Sequence, residues 1–163
     1  MLDNTRAELE SRLPIQRGSE NGSSLKVAVL LASYNTDICQ GLLNGCLKGL
    51  AQCSVPESSI QILETDGAFE CPLLAKRLSP NYDAVICLGA VIKGDTAHFE
   101  YVAGPSADGF QQVALETDTP IIFGVLTTYN EEQAKVRSND DDYNKGYEAA
   151  LTAVKTANLL ASI

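Results

Sequence analysis

The stretch Ala84 to Ile92, AVICLGAVI, leaves this chain little freedom in how it folds. It contains no charged or hydrogen-bonding side chain beyond one thiol, and Val and Ile recur along it. A short, unbroken apolar run of this kind fits a strand covered on both faces. Such strands occur in parallel sheets with helices on either side. Behind it stands Lys93-Gly94-Asp95-Thr96, a turn composition, after which helical spacing resumes. His98, the only histidine of the chain, sits near the start of that helix. A strand that passes through a Gly turn into a helix gathers backbone N–H groups at one point, where an anion can sit. Next to that point lies the side-chain type whose ordinary pKa falls nearest neutrality.

The flanking sequence repeats the strand–helix alternation. Leu25 to Ala32, LKVAVLLA, reads as the first strand, ended by Ser33-Tyr34-Asn35. Thr36 or Asp37 is expected to cap the following helix. That helix should run to about Cys53, with Cys39, Leu42, Leu43, Cys46, Leu47, Leu50 and Cys53 on its buried side. Ser59 to Glu64 is the second strand. A turn at Asp66-Gly67-Ala68 leads into a helix with Pro72 in its first turn, closed by Ser79-Pro80-Asn81. The helix that contains His98 should reach about Leu115, with a kink or break at Gly104-Pro105. Thr119 to Thr127 is the last strand. Asn130 with Gln133 forms a capping box for a short helix. Arg137 to Asp142, RSNDDD, is a solvated interruption, and Asn144 to Ala161 is a final helix with Tyr147, Ala150, Leu151, Val154 and Ala157 at core spacing. The order predicts an α/β three-layer sandwich: a four-stranded, mainly parallel sheet with helices on both faces. Residues 1–24, which end in GSENGSS, predict a flexible N-terminal arm before a domain over 25–163. Within the arm, Thr5 to Leu13 has the composition for one or two helical turns.

Charge and length narrow the function classes. A net charge of −9 argues against a general nucleic-acid binder. No apolar run approaches the roughly 20 residues that span a bilayer, so no membrane partner is expected. The N-terminal residues are polar and mixed in charge, unlike a secretory signal, which predicts a cytoplasmic location. Cys39, Cys46, Cys53, Cys71 and Cys87 form no CxxC pair, and three of them recur at a fixed spacing within one apolar stretch. They read as reduced core thiols rather than a disulfide or zinc site.

In open parallel sheets, ligands bind outside the carboxyl ends of the strands. Four stretches fall there: Ser33 to Asn35, Asp66 to Glu70, Gly89 to His98, and Thr127 to Asn130. Tyr34 and Phe69 suit either a packed rim or an aromatic face for a flat ligand. Glu70 suits either a favourable charge at a helix start or a polar ligand contact. His98 suits either a structural role or proton transfer. Arg137 is either a solvated surface residue or the cation that an anion site needs.

Several motifs together carry a family resemblance. They are GAVIKGDTAHFEYV at 89–102, GAFE at 67–70, Asn35 after the aromatic Tyr34, PIIFGVLTT at 120–128, EQA at 132–134 and NKG at 144–146. In this order and spacing, over about residues 26–160, the chain resembles the 6,7-dimethyl-8-ribityllumazine synthase family of riboflavin biosynthesis. The resemblance implies a flavodoxin-like subunit and assembly into homopentamers, some of which pack into hollow icosahedra. The family reaction joins 5-amino-6-(D-ribitylamino)uracil to 3,4-dihydroxy-2-butanone 4-phosphate, releasing phosphate and water, without metal or cofactor. By the same resemblance, Tyr34 would stack on the pyrimidine near Asn35. Ala68, Phe69 and Glu70 would line the pocket, with Glu70 holding ribityl hydroxyls. Ala90, Val91 and Ile92 would present backbone groups. Asp95, Thr96 and Arg137 would hold phosphate, and His98 would move protons. Phe123, Arg137 and Lys145 would come from the neighbouring subunit.

Three positions depart from the family pattern. Asp66 stands where Pro is common, Tyr34 where Phe or Trp is usual, and SNDDDY at 138–143 replaces a Gly- and Lys-containing loop found in shell-forming relatives. A pentamer is therefore expected rather than a shell. Two other readings stay open at this level. One is a catalytically reduced relative that persists as a flavin- or lumazine-binding or scaffold protein. The other is an unrelated flavodoxin-like nucleotide-binding domain, which lacks a Gly-rich fingerprint here, since SYNTD follows the first strand.

Overall fold

The structure, a computed structural model, describes residues 2–163. Four strands, β1 (Val27–Ala32), β2 (Ile60–Thr65), β3 (Ala84–Ile92) and β4 (Ile121–Thr128), form one sheet in the order β2-β1-β3-β4. Every pairing is parallel; β1 runs Val27 beside Ala84 of β3, and β3 runs Val85 beside Ile121 of β4. The helices are α1 (Leu2–Arg12), α2 (Thr36–Gln52), α3 (Cys71–Leu78), α4 (His98–Thr117), α5 (Glu131–Val136) and α6 (Lys145–Ala161). Alternate residues of each inner strand face opposite layers. Val27, Val29, Ile86 and Leu88 pack with Leu42, Cys46 and Leu50 of α2 and Val154 of α6. Ala28, Leu30, Val85 and Cys87 pack with Cys71 and Ala75 of α3 and Phe110 and Val113 of α4. Covering a Leu, Ile or Val side chain contributes about 1.5–3 kcal/mol, which is why the apolar run of β3 takes a central position. This is the flavodoxin-like α/β sandwich, with the strand order reversing between β1 and β3.

The five cysteines are buried free thiols. Desolvation pushes Cys39 up to about 11 and Cys46 and Cys71 up to about 12, and raises Cys53 and Cys87 as well. They behave as small core hydrophobes and not as nucleophiles.

Two local expectations are corrected. Of the kink or break expected at Gly104-Pro105, there is no break: α4 continues through it to Thr117. Pro105 removes the donor for the Tyr101 carbonyl, but both residues lie on the exposed side, where water can take that carbonyl. The start of α2 is not capped by Thr36 or Asp37. Its N-cap is Asn35, in a left-handed conformation (φ 62°, ψ 53°), and no side chain caps the helix there. Thr36 Oγ1 instead donates to the Ser33 carbonyl at 3.0 Å. The α5 cap is found as expected, with Gln133 N–H donating to Asn130 Oδ1 at 2.9 Å. Gln133 Oε1 reaches back one residue further than expected, accepting from Tyr129 N–H at 2.9 Å.

The polar stretch before β1 lies along α6. Asn158 Nδ2 donates to the Ser19 and Asn21 carbonyls at 2.8 and 2.9 Å, and Gly22 N–H donates to the Cys53 carbonyl at 2.7 Å. Its Gly content, which in sequence signals a linker, here permits close approach: a Cβ on Gly18 would overlap the Lys155 carbonyl.

Helices α2 and α6 also meet through small residues. Gly41, Gly45 and Gly49 face the Ser138–Asn144 loop and α6, and a Cβ on Gly146 would overlap the Leu42 carbonyl oxygen. Gly146→Ala should therefore cost about 1–3 kcal/mol by forcing the helices apart. Denaturant unfolding of the two proteins checks this, and unchanged stability would show that the helices are free to separate at that point.

Candidate active site

The carboxyl ends of β1 and β3 form the floor of a cleft of about 670 Å³. Its shape follows from local hydrogen bonding. As β1 ends, Ser33 N–H donates to the Thr65 carbonyl at 2.9 Å and Tyr34 N–H to the Asp66 carbonyl at 3.2 Å, drawing the β1–α2 and β2–α3 loops together. Asn35 then turns left-handed, and its side-chain Nδ2 donates to the Ala90 carbonyl at 2.9 Å. That bond bridges the diverging ends of β1 and β3. A non-Gly residue in this conformation costs about 1 kcal/mol or more and persists only where the surroundings enforce it.

The cleft is lined by Tyr34, Asn35, Ala68, Phe69, Glu70, Ala90, Val91, Ile92 and His98. Tyr34 and Phe69 are exposed, at 66% and 56%, so they do not serve as core packing. Tyr34 and Glu70 meet over Gly67: a Cβ there would stand 2.9 Å from Glu70 Oε2 and 3.3 Å from the Tyr34 ring. Any side chain at 67 would separate the aromatic face from the carboxylate. Beneath the rim, the Cys39 thiol donates to the Tyr34 carbonyl at 3.1 Å.

Gly67, within the Asp66 to Glu70 stretch, lines the cleft too, as do Tyr101, Val102 and Ala32, which were not anticipated. Tyr101 was legible, because it lies three residues after His98 and so shares its helix face. Asp95 and Thr96 stand outside the lining, in the exposed turn that leads to His98. There His98 N–H donates to Thr96 Oγ1 at 3.4 Å.

Phe123, Arg137 and Lys145 are elsewhere. They line a second cleft of about 530 Å³ along the edge strand β4. Phe123 is 46% exposed, its ring 5.8 Å from that of Phe110. Arg137 Nη1 donates to the Gln133 carbonyl at 2.9 Å, and Lys145 Nζ pairs with Glu148 at 2.8 Å. The buried Asn144 fixes this corner. Its Nδ2 donates to the Gly41, Ser138 and Asn139 carbonyls, and its Oδ1 accepts from Tyr147 N–H at 3.0 Å. Lys145 N–H in turn donates to the Arg137 carbonyl at 2.8 Å.

Aromatic faces, a carboxylate, strand-end backbone groups and an imidazole are thus gathered in one cleft, and two cations with a further aromatic ring in another. Comparison with known families decides what the set belongs to. The family model described as 6,7-dimethyl-8-ribityllumazine synthase matches residues 24–161. The chain belongs to the 6,7-dimethyl-8-ribityllumazine synthase family. It is a transferase family of riboflavin biosynthesis, and the match spans all four strands and every helix but α1. In lumazine synthase terms, GAFE forms the turn into α3, and GAVIKGDTAHFEYV runs from β3 into α4. The departures also have positions. Asp66 contributes its carbonyl to the Ser33 and Tyr34 amides, a role that does not depend on its carboxylate. The acidic loop lies directly after Arg137, and Asp140 pairs with Lys48 at 3.1 Å.

Proposed function

We propose that the chain is an active 6,7-dimethyl-8-ribityllumazine synthase. It joins 5-amino-6-(D-ribitylamino)uracil to 3,4-dihydroxy-2-butanone 4-phosphate, with each site built from two subunits of a homopentamer. The single observation that carries this is the separation of the family's site residues into two clefts. One lies over β1 and β3 and the other on the open edge at β4. A neighbour that presents its β4 edge to the first cleft would complete the set.

The residue types suit the chemistry. The pyrimidine's amine attacks the ketone and water is lost; phosphate is then eliminated, and the ribitylamino nitrogen closes the ring on the carbonyl so formed, with loss of a second water. Each stage moves a proton near neutral pH, and His98 supplies the group to do so, an effect typically worth about 10²–10⁴-fold. The uracil ring lies against Tyr34, with its edges meeting backbone groups of Ala90, Val91 and Ile92. Ala90 O already accepts from Asn35, which leaves one lone pair for the ligand. Glu70 accepts from ribityl hydroxyls beside Ala68 and Phe69. Asp95 and Thr96 bring the turn N–H groups to phosphate, and the neighbour's Arg137 neutralises it. Phe123 and Lys145 from the same neighbour close the far side. Holding both substrates in register accounts for the remaining rate gain.

The test is turnover by the purified chain with both substrates, followed by formation of the lumazine and of free phosphate. Ligand retention without turnover would favour a flavin- or lumazine-binding protein instead.

The assembly is a pentamer and not an icosahedral shell. Residues 139–143 are exposed, Lys48 compensates Asp140 alone, and Asp141 spends an oxygen on Tyr143 N–H at 2.8 Å. Asp142 and most of the field of Asp141 remain to repel a facing copy within the screening length of about 8 Å. Light scattering should give a species near five subunits at low salt. A particle of shell size at low salt would contradict this.

A further inference from the structure

The turn between β3 and α4 carries the chemistry yet has almost no core contacts. Residues 93–98 are all exposed, and nothing lies within 4 Å of where a Cβ on Gly94 would stand. The internal bond from His98 N–H to Thr96 Oγ1 is long, at 3.4 Å, and contributes little. What spans the turn is a pair of side chains at its two ends. Lys93 N–H is anchored to the Thr128 carbonyl at 2.9 Å, extending the β3–β4 pairing by one bond. Its Nζ then crosses to Glu100 Oε1 at 2.6 Å and lies 5.7 Å from the centre of the Phe99 ring. Phe99 in turn lies 6.4 Å from Tyr129, which follows β4, with the rings tilted by 30°.

We propose that Lys93 and Glu100 form a clamp that fixes the 94–98 turn, and so are positioning residues for His98 and Thr96. This rests on the reading of the cleft as the lumazine synthase site. Both partners are about half exposed, so as an ion pair they add little to global stability. Their effect is geometric. The clamp joins the residue that follows β3 to the first turn of α4, and a small displacement of a catalytic group costs rate steeply. The Glu100 carboxylate is held below its ordinary range by Lys93, and Lys93 is raised above its own by Glu100. Both therefore stay charged through the neutral range, and the clamp does not open with pH there.

The single histidine makes the test direct. In protein labelled only at histidine, the imidazole NMR signals come from His98 alone and need no turnover. Lys93→Met and Glu100→Gln should each shift or broaden those signals and lower kcat at saturating substrates by about threefold or more. The double variant should be no worse than either single one, because the second change has no pair left to break. Lys93→Arg keeps the charge and the ring contact and should stay near wild type. Native His98 signals in both single variants would overturn the clamp, as would effects that add in the double variant. An inactive wild type would overturn the proposed reaction instead, while the NMR signals still decide the clamp.

Discussion

His98→Ala should lower kcat by about 10- to 1,000-fold while leaving the fold intact, within the range for losing one acid–base group. The side chain is exposed at the mouth of the first cleft, so its removal takes away little packing. The reaction requires several proton transfers, and this is the only imidazole the chain has. Stability measured alongside should change by no more than about 0.5 kcal/mol, as for a surface substitution. Steady-state turnover at saturating substrates checks the prediction. A rate equal to that of wild type would remove His98 from the proton-transfer role.

Arg137→Ala should raise KM for the butanone phosphate far more than for the pyrimidine, with kcat/KM for the phosphate substrate falling by about 10- to 100-fold. Losing a charge-assisted hydrogen bond costs about 1.5–3 kcal/mol, and only one substrate carries the anion. The guanidinium is exposed on the second cleft, and its one hydrogen bond among the described residues is to the Gln133 carbonyl, so the fold loses little with it. The acidic loop that follows makes the measurement informative. If Asp140 to Asp142 already weaken the field at Arg137, the loss will fall at the low end of that range. An equal rise in KM for both substrates would place Arg137 outside the phosphate site.

The parts of this fold that were legible in sequence are those where one physical term dominates. Burial on both faces fixes β3 so strongly that its apolar run and the observed strand coincide at Ala84–Ile92. The α5 cap was legible because side chain and backbone are three residues apart and need nothing else. The cleft residues just after β1, at the end of β3 and in the turn into α3 were legible because the carboxyl edge of a parallel sheet follows from the strand pattern. Asn35 shows where this stops. Its left-handed backbone and its bond to Ala90 depend on two strand ends meeting, which no local pattern encodes. Pro105 does not break α4, because local propensity was overridden at residues that lie on the exposed side. That Phe123, Arg137 and Lys145 line a cleft of their own was expected from the family resemblance and not from the residue pattern. It depends on β4 being an edge strand, which is a property of the whole sheet.

The proposed site between subunits is tested most directly by mixing two defective chains. One carries His98→Ala and an intact β4 cleft; the other carries Arg137→Ala and an intact first cleft. Assayed at subsaturating butanone phosphate, each alone should keep about a tenth of wild-type activity or less. In pentamers assembled from an equal mixture, about a quarter of the subunit contacts pair two intact halves, by random placement around a closed ring. Activity should therefore recover to about a quarter of wild type, well above either parent. Activity no higher than the average of the two parents, in pentamers shown to contain both chains, would contradict a site built between subunits.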